Sequence, residues 1–328
     1  MKIIKNNYKR GGTQKSIYSS KDVESVSCIN CNSIENISLH KEFGNVGIVR
    51  CNNCELLYTN PRPKNIELNY HGEIKNYYEE YKYIFAGLKP HHRDRNYLQE
   101  IKIIKKYFKK GKLVDVGCNA GRFLDLAIKL GFNATGVEPS DSLSKLGQEK
   151  FNLKIENCTL ENSSLNPNSV DIITAIDVFE HLTNPQNFLK KSYEILKNEG
   201  ILVIKVPNGN YSLTKLKISK LLKKNTKNMD IFDSYEHVAH YNKKTFQNIM
   251  KRNNFQIQKI YAPLPINPPL WTKYYNQYYL HPSPWYWDWK KVIMRKVFHF
   301  IGKIELFFNM PTFFQADILY ILKKNNLR

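Results

Sequence analysis

From residue 112 onwards, short apolar runs alternate with stretches in which apolar residues recur every three to four positions. The apolar runs predict buried strands, and the periodic stretches predict helices that pack against them. The predicted strands are 112–117, 133–138, 153–156, 170–175 and 200–206, and the predicted helices lie near 121–131, 141–151 and 185–197. Such alternation is typical of a mostly parallel sheet with helices on both faces. The pattern therefore predicts an α/β fold.

The same kinds of pattern continue on either side of this region. Before it, tyrosine and isoleucine residues recur at helical spacing and predict a helix over 91–108. After it, we predict helices at 243–253 and 290–309 and strands at 255–262 and 316–322. A Lys-rich segment, 211–228, is predicted to be a mobile or helical insertion. Residues 263–289 hold six prolines and four tryptophans, which indicates an irregular aromatic excursion.

Changes in composition divide the chain into four predicted parts. These are a flexible basic leader (1–27), a small unit of short strands (28–63), a helical connector rich in tyrosine (64–111) and the α/β domain (112–328). The aromatic excursion and the helix that follows it, 263–309, lie near the end of that domain. A chain of 328 residues is long enough for this organisation.

The charge balance is strongly basic, with 50 Lys and Arg against 29 acidic residues and a net charge of +21. This charge indicates either a solvated basic surface or an anionic partner, such as a phosphorylated glycan, an anionic lipid or a nucleic acid. No apolar run reaches the roughly 18 residues of a transmembrane helix, and no apolar signal segment opens the chain. We therefore expect a cytoplasmic protein without a transmembrane segment, and leave open a peripheral contact with the inner face of the membrane.

Two Cys-x2-Cys pairs, Cys28 with Cys31 and Cys51 with Cys54, are separated by 19 residues. Each pair offers two thiolates from one tight turn, and zinc prefers four such ligands in a tetrahedron. Because four cysteines close the coordination sphere, no position stays open for catalysis. The spacing predicts a structural Zn2+ site in a small N-terminal zinc-binding domain.

A turn of small residues follows the first strand of the α/β domain. Residues 113–121 read LVDVGCNAG, and Glu138 closes the next apolar run. In such a turn, backbone amides approach a ligand closely, and the second acid can accept hydrogen bonds from a ribose diol. A dinucleotide site would read Gly-x-Gly-x-x-Gly, whereas this turn has a period of two with Asp115 in front. The turn therefore predicts a nucleoside-containing cofactor of another kind.

This turn resembles motif I of the class I S-adenosylmethionine (SAM)-dependent methyltransferases, Asp/Glu-x-Gly-x-Gly-x-Gly, with Asn119 in place of the middle glycine. Asparagine tolerates a positive φ better than other non-glycine residues, so the turn can form. Further segments match the family in order over about 112–262. The resemblance implies a Rossmann-like, seven-stranded methyltransferase sheet. It also implies cofactor-binding residues, namely Asp115, Gly117, Asn119, Gly121, Glu138, Thr159, Leu160 and Asp177.

Within this resemblance, Glu138 binds the ribose hydroxyls, Thr159 and Leu160 lie beside the adenine, and Asp177 lines the methionine moiety. A second resemblance concerns residues 49–63, VRCNNCELLYTNPRP. They are similar to the zinc-knuckle leader of bacterial methyltransferases from surface-polysaccharide and sugar-modification pathways. This resemblance implies a small-molecule acceptor related to sugars or glycans, and leaves open an anionic or lipid-linked one.

Methyl transfer is an in-line displacement, for which an enzyme aligns the nucleophile and excludes water. An oxygen nucleophile also loses a proton, a task suited to a histidine. The candidates are His181, which follows the fourth predicted strand, His237, which matches a histidine of the resembling subgroup, and His240. The alternative for each is an orienting or capping role.

Two other functions stay open at this point. An RNA methyltransferase would suit the zinc site and the positive charge, but the leader lacks a continuous basic–aromatic strip, so nucleic acid is not the expected partner. A non-catalytic scaffold that keeps the SAM fold is favoured only by Asn119. Residues 267–270, Asn-Pro-Pro-Leu, resemble a base-holding loop of nucleic-acid amino-methyltransferases, but they lie some 90 residues beyond its usual place at the fourth strand.

Overall fold

The computed structural model describes residues 9–10, 13–14, 18–66, 81, 84, 91, 93–222, 230–265 and 285–325. Its largest sheet has seven strands, which are β8 (Lys112–Val116), β9 (Asn133–Val137), β10 (Ile155–Glu156), β11 (Val170–Ile176), β12 (Leu196–Pro207), β14 (Phe255–Tyr261) and β15 (Asp317–Lys324). Their order across the sheet is β10-β9-β8-β11-β12-β15-β14. The first five pair in parallel, and β15 joins β12 and β14 antiparallel to both. The predicted α/β class with a seven-stranded, mostly parallel sheet is confirmed.

The central strands are long apolar runs because helices cover both faces of the sheet. Strand β11 is buried along almost its whole length, and β12 is buried from Gly200 to Val206. The helices are α1 (Asp94–Ile104), α2 (Arg122–Lys129), α3 (Asp141–Phe151), α4 (Pro185–Ile195), α5 (Gly209–Leu221), α6 (Lys243–Arg252) and α7 (Trp285–Phe307). None of these described helices is long and apolar enough to cross a membrane.

Local capping sets where several of these helices begin. The side chain of Ser140 accepts the backbone N–H of Leu143 at the start of α3, and Asn242 and Thr245 form a capping box at the start of α6. The Lys-rich segment is helical over its first part, as α5. Helix α7 starts at Trp285, within the excursion predicted to be irregular, whereas the Asn-Pro-Pro run lies outside the described residues.

The N-terminal unit is built around a four-stranded sheet of β4 (Asn36–Glu42), β5 (Val46–Cys51), β6 (Leu57–Thr59) and β13 (Ala239–His240), in the order β13-β6-β5-β4. Two short strand pairs accompany it, β1 (Lys9–Arg10) with β2 (Thr13–Gln14) and β3 (Val23–Glu24) with β7 (Arg62–Pro63). Strand β13 comes from far along the chain and pairs antiparallel with β6. Cys28, Cys51 and Tyr58 belong to the same buried cluster as Val206 and Phe246 of the main domain. The predicted boundary at residue 63 stays a prediction, and strand pairing and packing cross it.

Candidate active site

A cavity of about 760 Å³ lies at the carboxyl ends of the parallel strands. Strand β8 stands between β9 and β11, so the chain order reverses there, and ligands bind α/β sheets at such a crevice. Residues following β8, β9 and β10 line one side of the cavity, and residues following β11 and β12 line the other. The loop 230–238 completes the second side. The sheet therefore brings two of the predicted histidines and all the predicted cofactor residues except Gly121 to one cavity.

The turn after β8 has the left-handed backbone that its sequence predicts. Gly117, Asn119 and Gly121 have φ angles of 65°, 56° and 84°. A Cβ atom on Gly117 would lie 2.6 Å from a methyl carbon of Val178, so glycine is required there by space as well as by φ. Asn119 adopts the positive φ that lets it replace the middle glycine of the motif.

Glu138 is fully buried and is fixed by two backbone amides. One carboxylate oxygen accepts the N–H of Asn119 at 2.9 Å, and the other accepts the N–H of Ser140 at 2.9 Å. Burial raises the pKa of Glu138, and these two hydrogen bonds oppose the rise. Thr159 and Leu160 line the same side of the cavity. Glu138, the turn after β8, Thr159 and Leu160 thus line the same part of the cavity.

Asp115 lies at the end of β8 and is buried, with 4% of its surface exposed. The Oγ1 hydroxyl of Thr174 on β11 donates to its carboxylate at 2.7 Å. Burial raises the pKa of Asp115 to about 7, and the nearby acids Glu100 and Glu138 add to the shift. A positive group placed against this carboxylate would favour its charged form.

Replacing Glu138 by alanine should weaken SAM binding by about 10- to 100-fold, because a buried charge-assisted hydrogen bond contributes roughly 1.5–3 kcal/mol. The substitution also leaves the amides of Asn119 and Ser140 without their acceptor. Calorimetry of SAM with the purified variant measures this loss. The matched control is Glu199→Ala, at an exposed acid that pairs with Lys323, and it should bind SAM normally. If the Glu138→Ala and Glu199→Ala variants bound SAM with equal affinity, the assignment of Glu138 to the SAM site would be contradicted.

A group of charged residues reaches from the cavity into the protein interior: Arg93 and Asp177 are partly exposed at the cavity, and Lys205 and Glu100 are buried. Asp177 has a φ of 57° and contacts the guanidinium of Arg93, and the ammonium of Lys205 on β12 lies 3.0 Å from the same carboxylate. Lys205 also donates to Glu100 of α1 at 3.1 Å. Burial opposes the charged form of Asp177, but Arg93 and Lys205 keep its pKa below the usual value. Asp177 is therefore an ionised residue held between two cations.

Neither Arg93 nor Lys205 is among the residues that the sequence patterns predict for the site. Lys205 stands inside an apolar run, Ile201 to Val206, and such a lysine signals a buried ion pair. Arg93 precedes α1 and carries no local pattern of its own. It reaches the cavity only because α1 packs beside the sheet, more than 80 residues from Asp177 in sequence.

His181 and His237 come together on the second side of the cavity. Their ring centroids are 4.7 Å apart, and Nε2 of His237 lies 4.0 Å from a carboxylate oxygen of the buried Glu180. Nδ1 of His181 lies 3.2 Å from the carbonyl oxygen of Glu236, so this nitrogen carries the proton. Burial lowers the pKa of His181, which favours its neutral form.

Glu180 has no side-chain hydrogen bond to another residue in the described part of the chain, although it is almost completely buried. Burial raises its pKa well above the usual value. Together with His181 and His237, Glu180 offers three possible metal-ligand atoms, which lie within 4.8 Å of one another. Such a set can pass a proton from a histidine to a carboxylate or hold a cation.

The structure does not bring His240 to the cavity, so the catalytic role expected for it is not supported. Its side chain is buried on β13, and Nε2 contacts the hydroxyl of Thr59 at 3.2 Å. Burial lowers the pKa of His240 to about 3. The residues that line the cavity include His181 and His237 but not His240. Because β13 pairs with β6, His240 is part of the N-terminal sheet.

The four cysteines of the N-terminal unit, Cys28, Cys31, Cys51 and Cys54, form one group that we call the four-cysteine cluster. Their sulfur atoms all lie within 4.8 Å of one another. The sulfur atoms of Cys28 and Cys54 are 3.5 Å apart, as are those of Cys31 and Cys51. A tetrahedral zinc ion with Zn–S bonds of about 2.3 Å separates its ligands by about 3.8 Å. The cluster therefore fits a tetrahedral ion, and it is distinct from the cavity.

A family model described as a methyltransferase domain matches residues 90–260, just over half of the chain. The chain therefore belongs to this methyltransferase family, and its fold and cavity are those of a SAM-dependent methyltransferase. The match spans the strands and loops that build the cavity, from the start of α1 to β14.

Among curated relatives, the ubiquinone biosynthesis O-methyltransferase of Bradyrhizobium sp. (strain ORS 278) is 33% identical over 104 residues, which are 30% of this chain and 41% of the relative. The protein of that name from Coxiella burnetii (strain Dugway 5J108-111) is 31% identical over 108 residues, 31% of this chain and 46% of the relative. The chain thus spans less than half the length of these relatives.

Among solved structures, the chain is similar to one in the complex between the Haloferax volcanii Trm112 methyltransferase activator and a methyltransferase. The TM-score is 0.50 at 11% identity, and the match covers 77% of this chain and 97% of the other. At this identity, the similarity supports the fold alone.

Proposed function

We propose that this enzyme transfers the methyl group of SAM to a hydroxyl group of a small, sugar- or glycan-related acceptor. The observation that carries the proposal is the pair of His237 and the buried Glu180 at the second side of the cavity. A histidine backed by a carboxylate is suited to remove the proton of an attacking hydroxyl. The curated relatives are named O-methyltransferases, which supports an oxygen nucleophile.

The first side of the cavity fits SAM. Glu138 would accept hydrogen bonds from the ribose, Thr159 and Leu160 would lie against the adenine, and Asp115 would face the amino group of the methionine moiety. Arg93, which is paired with Asp177 after β11, would face the SAM carboxylate. SAM itself supplies an electrophilic methyl group on a sulfonium, so the protein has to align the acceptor, exclude water and take up the proton of the attacking hydroxyl.

On the second side, His237 would act as the general base, and the carboxyl group of Glu180 beside its Nε2 would hold the imidazole in place. His181 is the other candidate, because its Nδ1 proton is committed to the carbonyl of Glu236 and its Nε2 is left with a lone pair. The neutral form of His181, favoured by burial, would accept a hydrogen bond from the acceptor hydroxyl. In this proposal His237 moves the proton and His181 orients the acceptor.

The wall of the cavity on the second side combines polar and aromatic side chains. Its side chains are Asn184, Asn187, Tyr211, Ser212, Lys215, Phe232 and Asp233. Amides, hydroxyls and charged groups suit the many hydroxyls of a sugar, and aromatic faces suit its apolar C–H surface. The lysine would also suit a phosphate of a nucleotide- or lipid-linked sugar. We place the reaction in the cytoplasm, in the biosynthesis of cell-surface polysaccharides or secondary metabolites.

The same residues support a second way to activate the acceptor. Glu180, His181 and His237 would hold a divalent cation, which lowers the pKa of a bound hydroxyl. Dialysis against a weak chelator, followed by addition of Mg2+ or Mn2+, distinguishes the general-base mechanism from the cation mechanism. Activity that returns only when the cation is added favours the cation mechanism. The four-cysteine cluster is proposed to bind a structural zinc ion, which such a chelator leaves in place because four thiolates hold it.

The acceptor class is tested by incubating the enzyme with methyl-tritiated SAM and separate extracts of nucleotide sugars, lipids and RNA. We expect the label in a sugar-containing fraction. Label in RNA, with RNA binding that falls steeply with salt, would overturn the sugar assignment in favour of an RNA methyltransferase. If calorimetry detects no SAM binding at hundreds of micromolar SAM, the proposed enzymatic activity is contradicted, and a non-catalytic scaffold is favoured.

A further inference from the structure

Helix α7 is anchored to the protein by its polar and small residues. Glu305 is buried and accepts the backbone N–H groups of Phe313 and Phe314 at 3.0 and 3.1 Å. A Cβ atom on Gly302 would lie 2.7 Å from the Cβ of Gln315, so the helix packs closely on this segment. Nδ1 of His299 contacts the amide oxygen of Gln315 at 3.1 Å. The inner face of α7 is therefore held by specific contacts.

The outer face of α7 is apolar and exposed. Its members are Ile293 (50% exposed), Val297 (49%), Phe300 (65%), Ile304 (42%) and Phe307 (82%). They follow one another at intervals of three or four residues, so they form one stripe along the helix. An ordinary surface helix buries such a stripe, whereas α7 exposes it and buries Gly302 and Glu305 on another face. An exposed apolar patch of this size marks an interaction surface.

Basic residues border this stripe. Lys296 and Lys303 are exposed and lie seven positions apart, so they follow the same edge of the stripe, beside Phe307. In this position, the methylene groups of a lysine side chain can contact an apolar layer while its ammonium group stays at the polar boundary of that layer. An apolar stripe edged by lysines is complementary to an anionic lipid surface.

A second exposed apolar group lies at the end of α5, where Leu221 and Leu222 are 81% and 60% exposed. The two helices are in contact, since the ring of Tyr211 on α5 lies 6.3 Å from the ring of Phe298 on α7. Tyr211 also lines the cavity. The exposed apolar groups thus belong to the helices next to the acceptor side of the active site.

We infer that the outer face of α7, defined by Ile293, Val297, Phe300, Ile304 and Phe307 with Lys296 and Lys303, binds the surface of an anionic membrane. The helix would lie in the plane of the interface, with its apolar stripe among the acyl chains near the headgroups. The net charge of +21 supports attraction to such a surface. This binding does not depend on the acceptor, although it would bring the cavity close to a lipid-linked one.

The test is sedimentation of the full chain with vesicles of phosphatidylcholine and phosphatidylglycerol (3:1), with pure phosphatidylcholine vesicles as the comparison. We expect binding to the anionic vesicles that weakens as salt is raised. The double variant Phe300→Glu/Phe307→Glu should reduce the bound fraction about tenfold, because two charges then enter the apolar stripe. Lys296→Glu/Lys303→Glu should remove the preference for anionic vesicles.

The control is Ile34→Glu/Ile37→Glu, which places the same two charges on exposed apolar residues (81% and 47%) of the N-terminal unit. It should bind vesicles as the parent does. All variants should bind SAM with unchanged affinity, which shows that they fold. Vesicle binding that the Phe300/Phe307 variant retains, or no vesicle binding by the parent, would overturn the inference. A parent dimer that this variant dissociates would instead assign the stripe to a second copy of the chain.

Discussion

Replacing His237 by alanine should lower kcat for methyl transfer by about 10²- to 10⁴-fold, the usual range for removal of a general base. The affinity for SAM should stay within about twofold, because His237 lies on the acceptor side of the cavity and the cofactor residues are untouched. Turnover is measured with tritiated SAM and the labelled acceptor fraction, and SAM affinity is measured by calorimetry.

His299→Gln is the matched control, because this histidine lies outside the cavity, against Gln315. It should keep the parent kcat. Glu180→Gln should lower kcat less than His237→Ala, since the base itself stays in place and only the carboxyl group beside its Nε2 is changed. A His237→Ala variant that turns over normally, or one that loses SAM binding instead, would contradict the role of base.

Replacing Cys54 by serine should abolish methyl transfer to the acceptor and lower Tm by about 5–10 °C, because the proposed zinc site and part of a shared core are lost together. SAM binding should survive in the fraction that stays folded, since the cofactor side is built by β8, β9 and β10. The measurements are bound zinc, thermal unfolding, SAM calorimetry and turnover.

The reason for this coupling is that the N-terminal unit holds the loop 230–238. The hydroxyl of Thr59 donates to the carbonyl of His237 at 2.6 Å, and its backbone N–H donates to the carbonyl of Val238 at 3.0 Å. The buried carboxylate of Glu42 accepts the N–H groups of Ile231 and Phe232 at 2.7 and 3.0 Å. Loss of the four-cysteine cluster would therefore release the loop that carries His237.

A milder variant separates this coupling from general unfolding. Glu42→Gln should keep zinc and SAM binding but raise the KM for the acceptor, because the charge-assisted hydrogen bonds to the loop 230–238 are weakened. Glu55→Gln is its matched control: the same substitution at an exposed acid of the same unit, paired with Lys244. Equal kinetics for both variants, or full activity of zinc-free Cys54→Ser, would show that the unit does not support the acceptor side.

Sequence patterns located most of the main sheet because strands and helices follow a local period of apolar residues. Strands β8, β9 and β11 start at their predicted residues, and β12 starts four residues before its predicted position, at Leu196. The left-handed backbone of the turn after β8 was also predictable, because it depends on a few consecutive residues, Gly117, Asn119 and Gly121. The four-cysteine cluster was readable for a similar reason, since each pair of ligands lies in one turn.

Local sequence patterns could not show which of the three candidate histidines lie at the cavity. His237 and His240 are three residues apart in a segment of similar composition. Pairing of β13 with β6 buries His240 against Thr59, while the preceding loop leaves His237 beside Glu180 in the cavity. Only contacts between distant segments separate the two roles. The same holds for Arg93, which meets Asp177 through the packing of α1.

The sequence by itself determined the class of fold, the cofactor turn from Asp115 to Gly121 and the set of four cysteines, because each depends on residues near one another in the chain. The tertiary structure alone decided which residues surround the acceptor and which face of α7 is exposed. Thr59 and Glu42 reach the loop 230–238 across 178 and 189 positions. Such contacts are set by the packing of separate segments, for which no local pattern is required.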